Sequence, residues 1–169
     1  MKKKAEHAEE YQRVSHEFPP VYNAESRILI LGSFPSVKSR EQQFYYGHPQ
    51  NRFWKVLASL LDVPVPQTIK EKKQMLLEHK IAVWDVIESC EIIGSSDSSI
   101  RNVVPNQLEQ ILNCAKIEEI YTNGGTAKKL FDQFQQKSCG RTAVRLPSTS
   151  PANAAYSLER LISEWRIIL

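Results

Sequence analysis

Short apolar runs alternate along this chain with stretches in which apolar residues recur every three or four positions. The run RILILGS at 27–33 is almost wholly apolar and ends on glycine, the pattern of a strand buried on both faces. A polar loop follows, and from about Pro49 the spacing of Phe53, Trp54, Leu57, Leu60 and Leu61 predicts a helix. A second helix is expected over about 67–79, leading into IAVWDVI at 81–87, an apolar run rich in β-branched residues. SSDSS at 95–99 reads as a loop, and Pro105 as the opening of a helix carrying Leu108, Ile111 and Leu112. IEEIYTN at 117–123 is a third strand, closed by Gly124 and Gly125 and followed by a helix through Leu130 and Phe134. TAVRL at 142–146 is a fourth, stopped at Pro147. SPANAAYSLERLISEW at 150–165 predicts a helix with Ser150 as N-cap, Pro151 in first position, and Leu158, Leu161, Ile162 and Trp165 inward.

Strands joined by helical crossovers of this length imply a parallel sheet covered on both faces, an α/β fold. Ligands of such sheets bind beyond the carboxyl ends of the strands. Four loops are expected there: Ser33–Asn51, Asp85–Ser99, Asn123–Thr126 and Pro147–Asn153. No internal repeat or domain boundary is visible, so residues 1–169 read as one domain, with 1–25 a surface helix or a loose extension.

Composition narrows the partners. The charge of +3 permits an anionic partner without requiring one. Cys90, Cys114 and Cys139 are widely spaced, with no CxxC pair, which argues against a zinc or iron–sulfur site and suits a reducing, cytoplasmic compartment. No apolar run approaches the roughly 20 residues of a membrane span, and the basic N-terminus has no apolar signal core behind it.

The first of the four loops contains the densest chemistry. FYYGHPQNRFW at 44–54 sets five aromatic rings and His48 around the amides Gln50 and Asn51. Phe53 and Trp54 fall on the helix and read as core, whereas Phe44, Tyr45 and Tyr46 precede it, where a ring can stack on a planar ligand. Asn51 is expected in the first turn of its helix, where free N–H groups favour negative charge. It can hold a water with its oxygen, or donate its NH2 to an oxygen becoming anionic. His48, before a proline, stands where the N-cap would be. LGSFPS and LPSTSP follow strands and offer amides and hydroxyls to phosphate, but neither is a Walker loop or a GxGxxG fingerprint. Asp85 ends a strand at the site mouth and can accept from a ligand N–H. Lys38, Arg40, Arg52, Lys55 and Arg145 add positive charge nearby.

Together YYGHPQNRFWKVL, LGSFPS and LPSTSPANA resemble the motifs of the uracil-DNA glycosylase superfamily, nearest to its hypoxanthine-DNA glycosylase branch. WDVIESCEIIGSSDSSIRNVVPN and YTNGGTAKKLF are similar to the same branch, so the resemblance runs from about residue 26 to 165. It implies a three-layer α/β/α sandwich around a four-stranded parallel sheet. Phe34 stands where many relatives carry a water-positioning Asp or Asn, a departure from the standard uracil enzymes. In the branch the asparagine of the HPxN segment takes over, which is Asn51. The resemblance makes Tyr46 the ring that stacks on the extruded base and places Asp85 near a base-reading position, with Ser33 and Phe34 completing the base site. Ser148, Thr149, Ser150, Ala152 and Asn153 match the second motif, and with Ser36 and His48 are expected to contact DNA. Ser148 and Ala152 depart from the donor and wedge residues usual there.

The implied activity is hydrolysis of the N-glycosidic bond of a deaminated base in DNA, hypoxanthine before uracil or xanthine, by a monomer without metal or other cofactor. No lysine matches a family nucleophile, so a monofunctional enzyme leaving an abasic site is expected. A non-catalytic module binding nucleotides or damaged DNA is the alternative of another class, with Phe34 as its main support.

Overall fold

In a computed structural model of the chain, which describes residues 10–169, the four apolar runs form one parallel sheet. Its strands are β2 (Ile28–Gly32), β3 (Ile81–Asp85), β6 (Glu119–Asn123) and β7 (Ala143–Leu146), in the order β3-β2-β6-β7. Leu29, Ile30 and Leu31 of the central strand are completely buried, and each such side chain contributes roughly 1.5–3 kcal/mol by leaving water. The crossovers are the helices α1 (Val37–Gln42), α2 (Phe53–Leu61), α3 (Ile69–Glu78), α4 (Glu109–Leu112), α5 (Gly125–Phe134) and α6 (Gln136–Cys139). The last helix, α7 (Leu158–Trp165), packs on α2, with Trp165 and Phe53 in edge contact at 5.9 Å between ring centres. These elements build the expected sandwich, and Phe53 and Trp54 are core as their spacing predicts.

A second sheet was not foreseen. Strands β1 (Gln12–Ser15), β4 (Ile87–Ile92) and β5 (Arg101–Pro105) form an antiparallel sheet in the order β1-β4-β5. The predicted strand 81–87 therefore divides at Val86, where the chain passes from one sheet to the other. The Val86 and Ile87 N–H groups donate to the Gly32 and Ser33 carbonyls at 2.8 and 3.2 Å, tying the crossing point to the loop after β2. Buried Asn106 donates to the Asp85 and Ile87 carbonyls, and buried Gln135 to the Val86 and Asn106 carbonyls, so the backbone freed at the crossing finds side-chain partners.

Other boundaries move for local reasons. Pro105 ends β5 instead of opening a helix, and α4 starts four residues later. Residues 151–156 are turns and irregular chain, and α7 begins after Ser157, whose hydroxyl accepts the Arg160 N–H at 3.1 Å and is the true N-cap. Helix α2 begins at Phe53, so Asn51 precedes it; α1 interrupts what reads as a polar loop. Phe44 and Tyr45 are buried core, not stacking surfaces. Of the N-terminal segment, residues 1–9 lie outside the described residues, whereas 10–25 are neither a helix nor loose: β1 pairs with β4, and Val21 bridges Val83. Among the described residues no helix is long and apolar enough to cross a membrane.

Candidate active site

At the carboxyl end of the parallel sheet lies a cavity of about 580 Å³. All four expected loops reach it, because β2, β3, β6 and β7 end in register at Gly32, Asp85, Asn123 and Leu146. Ser33, Phe34, Ser36, Tyr46, His48, Asn51, Asp85, Ser148, Thr149, Ser150 and Ala152 all line it; Asn153 lines an adjoining outer groove of about 750 Å³.

Asn51 is held by its oxygen. Its Oδ1 accepts the Phe53 N–H at 2.9 Å, capping the start of α2, and also the Thr149 hydroxyl at 2.9 Å. The Thr149 hydroxyl in turn accepts from Asn123 Nδ2 at 2.9 Å, while the Thr149 N–H donates to Asn123 Oδ1 at 3.0 Å. A backbone N–H only donates, so the atom facing Phe53 must be the oxygen and the Asn51 NH2 is left for the cavity. Of the two roles open to this amide, the geometry selects the donor. Thr149 is completely buried, with its hydroxyl and N–H both engaged in this chain of bonds. Asn123 had only its place at a strand end to recommend it.

Tyr46 covers one side of the cavity. Its ring lies on that of Phe53, with centres 3.9 Å apart and planes 21° apart, and it stays half-buried. The backbone at Tyr46 is left-handed, with φ 53°, which costs a bulky residue roughly 1–2 kcal/mol and turns the ring toward the site. Its hydroxyl is buried without a well-formed hydrogen bond. Burial, with the nearby Asp85 charge second, pushes the phenol pKa far up against the opposing pull of the Asn123 side chain, and keeps it a neutral donor. Gly32 makes this approach possible: a Cβ there would sit 2.4 Å from Asp85 Oδ1 and 3.0 Å from the Tyr46 hydroxyl.

Asp85 is 3% exposed, and its Oδ2 lies 2.8 Å from His16 Nε2. Oδ1, beside Gly32, is the oxygen available to the cavity. The His16 side chain is itself 2% exposed, among the rings of Phe18, Tyr45 and Phe34 at 4.5, 5.8 and 6.3 Å. Sequence reasoning missed His16 because β1 was not recognised. Phe34 is buried between this histidine and the Arg40 guanidinium, 5.6 Å from its ring, and forms an apolar wall.

Ser33 donates its hydroxyl to Asp97 Oδ1 at 3.1 Å. Asp97 belongs to the short 3-10 turn Asp97–Ser99 between β4 and β5 and lines both the cavity and the outer groove. The residue is exposed at the loop surface, and its carboxyl is tied to the cavity wall through Ser33. Desolvation holds its pKa above the usual carboxylate range and the Asp85 charge adds to this, against the Ser33 hydrogen bond that lowers it. Its one signal was the aspartate inside SSDSS, read as loop polarity.

The remaining positions are structural at rest. The Ser36 hydroxyl caps α1 by accepting the Ser39 N–H at 3.2 Å, and His48 Nδ1 accepts the Gln50 N–H at 3.1 Å. Ser148 and Ser150 hydroxyls each accept the N–H two residues on, and Asn153 Nδ2 donates to the Ser148 carbonyl, folding the 148–153 loop on itself. Arg52 clamps that loop to α2: its guanidinium donates to the Ser150, Asn153 and Tyr156 carbonyls, and its N–H to the Thr149 carbonyl. Ala152 is exposed at the cavity rim.

The cavity thus lies where an α/β sheet places its ligands, beyond the carboxyl ends of the strands, with Tyr46, Asn51 and Asp85 on its wall. Residues 19–167 match the model of the uracil DNA glycosylase superfamily, and the chain belongs to that family. Among its relatives is a hypoxanthine DNA glycosylase of Methanosarcina acetivorans, 33% identical over 92% of this chain and 98% of that one. Another, of Methanosarcina barkeri and with the same description, is 30% identical over 88% of this chain and 93% of its own length. The fold is similar to the solution NMR structure of a candidate uracil DNA glycosylase from M. acetivorans, with a TM-score of 0.76, 32% identity, and coverage of 89% of this chain and 93% of that one.

Proposed function

We propose that this protein is a monofunctional DNA glycosylase that removes a deaminated base, hypoxanthine first, and leaves an abasic site. The observation that carries the reading is the Asn51 amide, fixed through its oxygen by Phe53 and Thr149 with its NH2 left for the cavity. A flipped nucleotide reaches this cavity at a cost of a few kcal/mol. Stacking on Tyr46 offsets about 1–3 kcal/mol of it. Hypoxanthine carries an N1–H donor where adenine has an unprotonated N1, so Asp85 Oδ1 accepts from the first and is left unpaired by the second. As the bond to C1′ breaks, electrons move onto the base, and the Asn51 NH2 donates to the developing anion without reorganising. The names of the two Methanosarcina relatives support the choice of hypoxanthine.

The substrate is DNA, and the working form is a single-domain monomer. The unpaired thiols of Cys90, Cys114 and Cys139 support a reducing, cytoplasmic setting. The test is alkali-revealed cleavage of labelled duplexes bearing one inosine, one xanthine or one uracil, with Asn51→Ala beside the wild type. Inosine cleavage that vanishes in the variant is the expected result. Faster cleavage at uracil or xanthine makes that base the substrate, and lesion binding without cleavage of any duplex leaves the binding module.

A further inference from the structure

Phe34 leaves the usual place of the water-activating group apolar, and Asn51, an amide, takes no proton at neutral pH. The attacking water still has a proton to lose. Two carboxylates lie near the vacated position: Asp85, buried at the cavity floor and tied to His16, and Asp97, which accepts the hydroxyl of Ser33, the residue directly before Phe34, at 3.1 Å. Asp97 also lies where the cavity opens into the outer groove, since Asp97, Asn123 and Ser148 line both. The groove beyond carries Arg145 and the open start of α5 at Gly125, which has no side-chain cap, a surface suited to phosphate. A nucleotide with its base in the cavity and its phosphate in the groove has its sugar at the junction, beside Asp97.

We infer that Asp97 is the general base of the reaction, supplied by the β4–β5 turn in place of the carboxylate the β2 loop lacks, and that Ser33 positions it. This rests on the glycosylase reading above. Asp97 takes a proton from water as the water oxygen bonds to C1′. The electron pair of the C1′–N9 bond leaves with hypoxanthine, steadied by the Asn51 NH2. The proton then passes from Asp97 to the departing base, restoring the carboxylate, so water and deoxyinosine give hypoxanthine and an abasic sugar. Desolvation of the carboxyl, with the Asp85 charge adding to it, raises its pKa above that of a free aspartate and makes it a stronger base. The ionisable groups bearing on it are Asp85 at the end of β3, Tyr46 across the cavity and Cys90 on β4; His48 lines the same cavity, His16 acts through Asp85, and Arg40 of α1 is bound to the adjacent Gly94 carbonyl.

Single-turnover release of hypoxanthine from an inosine duplex, followed across pH, tests this with Asp97→Asn and Ser33→Ala. Asp97→Asn is expected to slow release by roughly 10²–10⁴-fold, the usual worth of a general base, while its Kd for the same duplex stays within about threefold of wild type. The wild-type rate falls as pH drops through the Asp97 pKa, and that acid limb is absent from the residual rate of the variant. Ser33→Ala moves the limb to higher pH, because the lost hydrogen bond had favoured the charged form. An Asp97→Asn enzyme within threefold of wild type, or one that keeps the limb, overturns the assignment. If the wild type acts on uracil or xanthine instead, the hypoxanthine reading falls alone and the same comparison on that base decides Asp97. If it releases none of the three, both fall.

Discussion

The two sheets supply different chemistry to one cavity. The loops beyond β2, β6 and β7 contribute, besides His48, groups that hold a fixed state near neutral pH: the Tyr46 ring, the Asn51 and Asn123 amides, and the hydroxyls of Ser148, Thr149 and Ser150. The antiparallel sheet brings the ionisable ones, His16 at the end of β1 and Asp97 in the turn between β4 and β5, with Asp85 at the seam where β3 gives way to β4. Both Asn51 and Asp85 are oriented by a buried partner, yet Thr149 and Asn123 fix a neutral dipole while His16 fixes a carboxylate. In the proposed reaction the neutral half sets geometry and stacking, and the ionisable half sets which base is accepted and how the rate depends on pH.

Beside Asp97→Asn, the largest test falls on the neutral half. Asn51→Ala removes one preorganised donor, and single-turnover release from inosine DNA is expected to fall about 10²–10³-fold without change in the shape of the pH profile, since an amide does not titrate. A displaced acid limb in that variant would break the division of roles. Next is Asp85→Asn on the ionisable half: the amide keeps the volume but adds a donor facing N1–H. Hypoxanthine release is expected to slow, its apparent barrier rising by about 1–3 kcal/mol, with discrimination against adenine reduced, measured as the ratio of rates on inosine and adenine duplexes. Tyr46→Ala loses one stacking face and should weaken Kd for inosine DNA by about 1–3 kcal/mol; a smaller loss for an abasic duplex of the same sequence locates the effect in the base. The smallest change expected is His16→Ala, roughly tenfold in the same inosine-to-adenine ratio, with the neutral half intact. A loss as deep as that of Asn51→Ala would place His16 in the chemistry itself.

The legibility of each half in the sequence follows from its burial. Strands covered on both faces need continuous apolar runs, so RILILGS, IAVWD, IEEIYTN and TAVRL announce themselves, and with them the end of the sheet where Asn51, Tyr46 and Asp85 meet. The antiparallel strands QRVS, IESCEI and RNVVP are short, exposed on one face, and broken by register shifts between Ile87, Ser89 and Glu91. No period survives in them long enough to read. Pro105 and Pro151 misled for a related reason: each is compatible with a helix start, and only tertiary hydrogen bonds, such as those Arg52 makes to the 150–156 carbonyls, decide otherwise. The pairing of His16 with Asp85 spans 69 positions and carries no local signal.

The family match starts at residue 19, four positions after β1 ends. A fragment cut at that boundary keeps all four parallel strands and every sequence motif that resembles the family. It also strips β4 of its β1 neighbour, leaving a row of unpaired N–H and C=O groups along a new sheet edge, a template for association with other chains. In the same cut Asp85 loses the histidine that orients it. Such a fragment would bear the full signature of its family, yet be more prone to aggregate and less selective than the chain it came from.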